Sequence, residues 1–104
     1  MSTALLKPDS HLRIRYPVPH RGLIEYHVEA DRPVDTFILD RKGLMEFLDG
    51  KTDYIYSYYG GFTNRYEHHQ KIKLPFHDWW YLIIRNPNKK EPVAVHYEVS
   101  GAKS

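Results

Sequence analysis

The chain has 104 residues, which is enough for one hydrophobic core and too few for two. It contains no cysteine, so disulfides, thiolate metal sites and a cysteine nucleophile are excluded. Fifteen Lys and Arg residues against 13 Asp and Glu residues give a formal charge of +2, too small to predict nucleic-acid binding. Without a signal-peptide core or a long apolar stretch, we expect a cytoplasmic protein with no membrane span. We expect one domain over residues 1–104, with its core in residues 11–99 and flexible ends.

Alternating apolar and polar residues predict that most of the chain forms β-strands. The alternation occurs in residues 11–18, 23–30, 67–74 and 93–99. Residues 34–40 and 79–85 contain consecutive apolar residues instead, which predicts strands that are buried more deeply. Asp31, Arg32 and Pro33 predict a break between the segments at residues 23–30 and 34–40. Pro17 predicts that the first strand ends there or lies at a sheet edge, because proline cannot donate a ladder hydrogen bond. Leu5 and Leu6 are candidates for an additional strand.

Residues 41–48 are the one segment with helical spacing of apolar side chains, and Asp49 with Gly50 provides a stop signal. A tyrosine-rich run follows at residues 54–59. Together these segments predict an all-β fold, a two-sheet antiparallel β-sandwich of about seven to eight strands with one short helix. A small closed barrel has the same alternation, and the sequence leaves that alternative open.

The middle of the chain contains an ordered set of motifs: FILD at residues 37–40, YYGG at 58–61, LP at 74–75 and WWYLIIRNP at 79–87. This order resembles a family of small bacterial β-sandwich domains of unknown function, which are similar to GOLD-like sandwiches and are sometimes fused to TIR domains. The resemblance covers residues 34–99. It implies a recognition or regulatory module and supplies no catalytic residues. One departure is that His77, Asp78 and Trp79 precede Trp80, where the family tends to place glycine.

The aromatic residues around YYGG form the candidate ligand surface. Tyr54, Tyr56 and Tyr58 share one parity, so an exposed strand would present three rings for stacking. In the alternative interpretation these rings face the core. Gly60 and Gly61 permit a close backbone approach, which serves either a ligand or a bulge. The predicted ligand-binding residues are Tyr54, Tyr56, Tyr58, Tyr59, Gly60, Gly61 and Trp79.

The two adjacent tryptophans point to opposite faces if both lie in a strand. The parity of Leu82 and Ile84 predicts that Trp80 is in the core and Trp79 is nearer the rim. An exposed tryptophan is the best single candidate for a partner hot spot.

The seven histidines prompt a metal-site hypothesis, but no HxH, HxxH or HExxH motif occurs. We therefore predict no metal site from local spacing. A site assembled across strands is left open, because several titratable residues share outward parity. They are His27, His96, Glu25, Glu29 and Glu98. The simpler interpretation is a solvated sheet face with weak ion pairs.

No nucleophile with a base and an orienting group, and no phosphate-binding loop, can be read from the sequence. We therefore expect a non-enzymatic binding or regulatory module without a cofactor, whose partner is a protein or a small-molecule ligand. A homodimer through sheet edges or exposed aromatics is compatible with this pattern. The alternatives are an enzyme or metal-dependent domain with a histidine site across strands, and a carbohydrate-binding module. Binding of single-stranded nucleic acid through basic residues near Arg65 and Arg85 is disfavoured by interspersed glutamates.

Overall fold

A computed structural model describes residues 2–17, 22–49, 58–73 and 79–101. In chain order, the elements are β1 (Ser2–Leu6), β2 (His11–Pro17), β3 (Leu23–Leu39), α1 (Arg41–Leu48), β4 (Tyr58–Lys73), β5 (Trp79–Arg85) and β6 (Val93–Gly101). The strand pairs among these residues are antiparallel. The described chain is therefore mostly β-strand with one short helix, as the alternation predicts.

The sheet is built around β3 and β4, which are 17 and 16 residues long and pair along most of their length. On the side of β3 away from β4, the first half of β3 pairs with β6 and the second half with β5. β1 extends the sheet beyond β6, and β2 extends it beyond β5. The sheet curls into a half-barrel, which differs from the clearly separated two-sheet sandwich that the sequence predicts.

The predicted break at residues 31–33 is wrong, because β3 is continuous from Leu23 to Leu39. Its register with β4 shifts between Glu29 and Val34, so an irregular stretch replaces the break. Pro33 lies in this stretch, where the ladder is already interrupted and a missing N–H group is tolerated. The fusion of two predicted strands into one explains why the described residues form six strands rather than seven or eight.

The helix spans the predicted residues 41–48. The Asp40 carboxylate accepts a hydrogen bond of 2.7 Å from the Gly43 backbone N–H, which caps the first turn. Leu44 packs against Leu39 and Ile83 on the outer surface of β3 and β5. This second cluster stabilises a helix too short to persist alone. No helix in the described ranges is long and apolar enough to cross a membrane.

The main core lies on the concave face of the curled sheet. Trp80 is 1% exposed there, which confirms the parity prediction, and Leu6 from β1 joins the same cluster. The predicted additional strand at Leu5 and Leu6 is therefore present and contributes to the core. β2 pairs only with β5 among the described strands, which confirms the edge position that Pro17 predicts.

Candidate functional site

The predicted aromatic surface is partly described. Tyr54 and Tyr56 lie outside the described residues, and β4 begins at Tyr58, followed by Tyr59 and Gly60. The Tyr58 backbone is opposite Leu39 on β3, which is in turn opposite Tyr81 on β5. Trp79 is two residues before Tyr81. The start of YYGG and Trp79 therefore lie at the same end of the sheet, on strands about 10 Å apart.

Trp79 is at the rim of the sheet, on the face opposite to Trp80. Its residue surface is 37% exposed, and the Arg15 guanidinium carbon lies 4.2 Å from the centroid of its ring. This geometry is a cation–π contact between neighbouring strands β2 and β5. The prediction that Trp79 lies nearer the rim is confirmed, and the contact fixes its ring beside a positive charge.

Residue 61 must be glycine because the backbone of β3 lies too close for a side chain. Its backbone has φ +130°, and a Cβ atom at this position would lie 2.1 Å from the Thr36 carbonyl oxygen. Only glycine allows β4 to approach β3 this closely next to a register shift. The close approach accounts for the second glycine of YYGG without reference to a ligand.

A polar group is buried where β3 and β4 cover the core. His68 is 1% exposed, and its Nε2 lies 2.9 Å from the Val34 carbonyl oxygen and 3.0 Å from that of Arg65. Because carbonyl oxygens only accept, Nε2 carries the proton, and Nδ1 accepts from the Thr36 hydroxyl at 3.0 Å. Burial lowers the pKa of His68, so the ring is held neutral. The Tyr26 hydroxyl is 3.2 Å from the Thr36 hydroxyl and continues this network.

We predict that His68 makes the domain less stable in acid. Because the pKa of His68 is lowered in the folded state, the unfolded chain binds a proton at His68 more readily than the folded chain does. The stabilisation that neutral His68 gives the fold is therefore complete above pH 6.5, and it is lost as the pH falls toward the folded-state pKa. Through this one group, the free energy of unfolding can change by at most about 1.4 kcal/mol per pH unit. Urea unfolding of the wild type and His68→Gln across this range should show the steeper acid loss in the wild type. Equal slopes would contradict the prediction.

The convex side of β4, β3 and β6 carries a different set of residues, which we call the polar face. Cross-strand register places nine residues in three rows on it. The rows are Glu67, Glu29 and His96; His69, His27 and Glu98; and Lys71, Glu25 and Ser100. Four glutamates against one lysine make this face acidic in a chain with a formal charge of +2.

Three histidine–carboxylate contacts lie at the centre of the polar face. The Nε2 atom of His27 is 3.3 Å from one oxygen of Glu29 and 3.3 Å from one oxygen of Glu67. The Nε2 atom of His69 is 2.9 Å from an oxygen of Glu25, and the two imidazole centroids are 5.3 Å apart. A depression of about 180 Å³ lies beside both rings. This arrangement can hold a cation.

The structure brings together only part of the cross-strand set left open by the sequence. His27 and Glu29 meet, whereas His96 lies opposite Glu29 without joining the group of three ligand atoms. Glu67 completes that group and was not predicted. The alternation along β4 predicts which face of the sheet Glu67 lies on. Its pairing with Glu29 depends on the register between β3 and β4, for which the sequence carries no local signal.

A scan against known protein families gives no match for this chain, and a comparison with curated proteins gives none. Two surfaces of this small β-rich domain are candidates for its function. They are the aromatic rim at Trp79 and the polar face at His27.

Proposed function

We propose that this domain is a non-enzymatic module that binds a protein or a small ligand through the rim around Trp79. The observation that carries the proposal is the exposed indole of Trp79 with the Arg15 guanidinium stacked on it. Tryptophan and arginine are the residues most enriched at binding hot spots, since each offers a large, rigid contact area. The start of YYGG on β4 lies at the same end of the sheet and extends this rim.

The charge around the rim indicates the chemistry of the partner. Arg15 and Arg13 point outward from the edge strand β2, opposite Tyr81 and Ile83 on β5, and Arg15 is the nearer of the two to Trp79. Further along β2, burial is the main cause that lowers the pKa of His11, and the charges of Arg13 and Arg85 lower it further. A ligand with a flat group and a carboxylate would match both the indole and the guanidinium groups.

The resemblance to small bacterial β-sandwich domains of unknown function supports the same proposal, since their architecture is similar to that of GOLD-like sandwiches, which serve as interaction modules. On this proposal, the half-barrel is a variant of the β-sandwich fold of those domains. We also propose that the protein acts in the cytoplasm. The exposed edge strands β1 and β2 leave a homodimer as one form of protein partner.

The proposal predicts that Trp79→Ala weakens binding by about 30-fold or more, because truncating a hot-spot side chain costs about 2 kcal/mol. A random peptide library displayed on phage and a glycan array are the probes, used with wild type and variant. The urea unfolding midpoint should change little, because Trp79 lies at the rim and Trp80 fills the core.

Tyr66→Ala is the matched control. Tyr66 is 60% exposed and also lies on β4, away from the end that begins at Tyr58. Its loss should leave the affinity for any selected peptide within about twofold. Equal effects of the two substitutions, or no ligand from either probe, would contradict the proposal. A glycan ligand without a peptide ligand would instead favour the carbohydrate-binding alternative.

A metal-dependent domain is the second candidate, and one observation favours it. Three ligand atoms, from His27, Glu29 and Glu67, lie within 4.8 Å of one another on the polar face. Nothing in this arrangement identifies a substrate, so the candidate is confined to the binding of the ion.

A further inference from the structure

We propose that His27, Glu29 and Glu67 form a site for a divalent transition-metal ion of the zinc class. The site lies on the polar face and is separate from the rim at Trp79. Its three ligands come from two neighbouring strands, β3 and β4, whose pairing fixes their spacing. It therefore requires no movement of the backbone.

The charges at these positions favour a bound cation. Glu29 and Glu67 are direct cross-strand partners, and like charges in directly opposed positions destabilise a sheet. The only cationic residue at the nine positions of the polar face, apart from the histidines, is Lys71, which lies opposite Glu25. A divalent ion between the two carboxylates would offset their repulsion.

The His27 imidazole is also placed to bind an ion. Nε2 of His27 is covered from solvent, faces both carboxylates, and makes no well-directed hydrogen bond within the described part of the chain. Both Nε2–oxygen distances are 3.3 Å. Two ligands of a tetrahedral ion with bonds of about 2.0–2.1 Å are about 3.3 Å apart. The spacing therefore suits atoms that share a metal ion.

The donor types select the class of ion. One imidazole nitrogen with two carboxylate oxygens suits Zn²⁺, Co²⁺ or Ni²⁺, whereas Mg²⁺ and Ca²⁺ prefer oxygen donors alone. Three protein ligands leave a fourth position for water or a ligand atom. The neighbouring pair of His69 and Glu25 lines the depression beside His27.

The test is isothermal titration calorimetry of ZnCl₂ into the full chain without an affinity tag, with MgCl₂ as the comparison ion. We expect one zinc ion per chain and no magnesium binding. His27→Gln and Glu67→Gln should each weaken zinc binding about tenfold or more. Thermal unfolding of metal-free Glu67→Gln should show equal or higher stability than the wild type, because the opposed charges are removed.

His96→Gln is the matched control, because His96 is an exposed histidine on the same face outside the group of three. Its zinc affinity should stay within about twofold of the wild type. Three outcomes would overturn the proposal: no zinc binding, unchanged affinity in His27→Gln or Glu67→Gln, or an equal loss in His96→Gln. Because Glu67 is an exposed residue and its substitution removes repulsion, weaker zinc binding in a stable Glu67→Gln protein supports the site itself.

Discussion

Gly61→Ala is expected to cost the domain about 3 kcal/mol or more of its free energy of unfolding, a large part of the roughly 5–15 kcal/mol that holds a domain together. The added Cβ would lie 2.1 Å from the carbonyl oxygen and 2.8 Å from the carbonyl carbon of Thr36. Both atoms belong to the backbone of β3, so no side-chain rotation removes the clash. The φ of +130° adds strain for any residue with a Cβ. Urea unfolding followed by circular dichroism measures the loss.

Thr63→Ala is the control for this substitution, because Thr63 is an exposed residue two positions further along β4. Its effect should be within about 0.5 kcal/mol. A Gly61→Ala protein that unfolds within about 1 kcal/mol of the wild type would contradict the prediction. The result also bears on binding studies, since weakened binding by Gly61→Ala would reflect a damaged sheet rather than a lost ligand contact.

Asn86→Asp is expected to have a similar effect through a buried amide. Asn86 is 0% exposed, and its Nδ2 faces the carbonyl oxygens of Leu6, Lys7 and Glu91 at 3.3, 3.2 and 2.9 Å. Aspartate would replace this donor with an acceptor and bury a charge against three other acceptors. Leaving a buried charge without compensation costs about 3–5 kcal/mol. The urea midpoint should fall accordingly, and less so in acid, where the carboxyl is protonated.

Asn88→Asp is the matched control in the same turn. The Asn88 side chain acts through its oxygen, which accepts from the backbone N–H groups of Lys90 and Glu91 at 2.8 and 3.0 Å. A carboxylate keeps both bonds, so we expect a change within about 0.5 kcal/mol. Equal destabilisation by the two substitutions would show that charge in this turn, and not the orientation of the Asn86 amide, is responsible.

Asn86 belongs to a local sequence motif but makes hydrogen bonds to distant parts of the chain. Asn86 lies in the RNP part of the WWYLIIRNP segment, and its local sequence favours only a turn, since asparagine favours turns in any context. In the fold, it joins the end of β1 to the turn between β5 and β6. Leu6 is 80 positions from Asn86 in the chain, and no local pattern indicates a contact of that range.

The two candidate surfaces differ in how much of them the sequence predicts. Trp79 follows from parity alone, because its neighbours Trp80, Leu82 and Ile84 define the inward face of β5. The site on the polar face needs the pairing of Glu29 with Glu67, which is set where β3 and β4 shift register. A shift of one residue would move Glu67 to the core side, so the site depends on the register as strictly as the core does.

Local patterns along the chain predict the individual elements of this protein, since strand alternation, the helix at residues 41–48 and the burial of Trp80 each follow from neighbouring residues. Three features become apparent only in the folded chain: residues 23–39 form one long strand, Gly61 must be glycine, and His27 meets two glutamates. All three depend on pairing between distant strands. Such pairing is fixed by the packing of the whole core, whereas the period of a strand is encoded residue by residue.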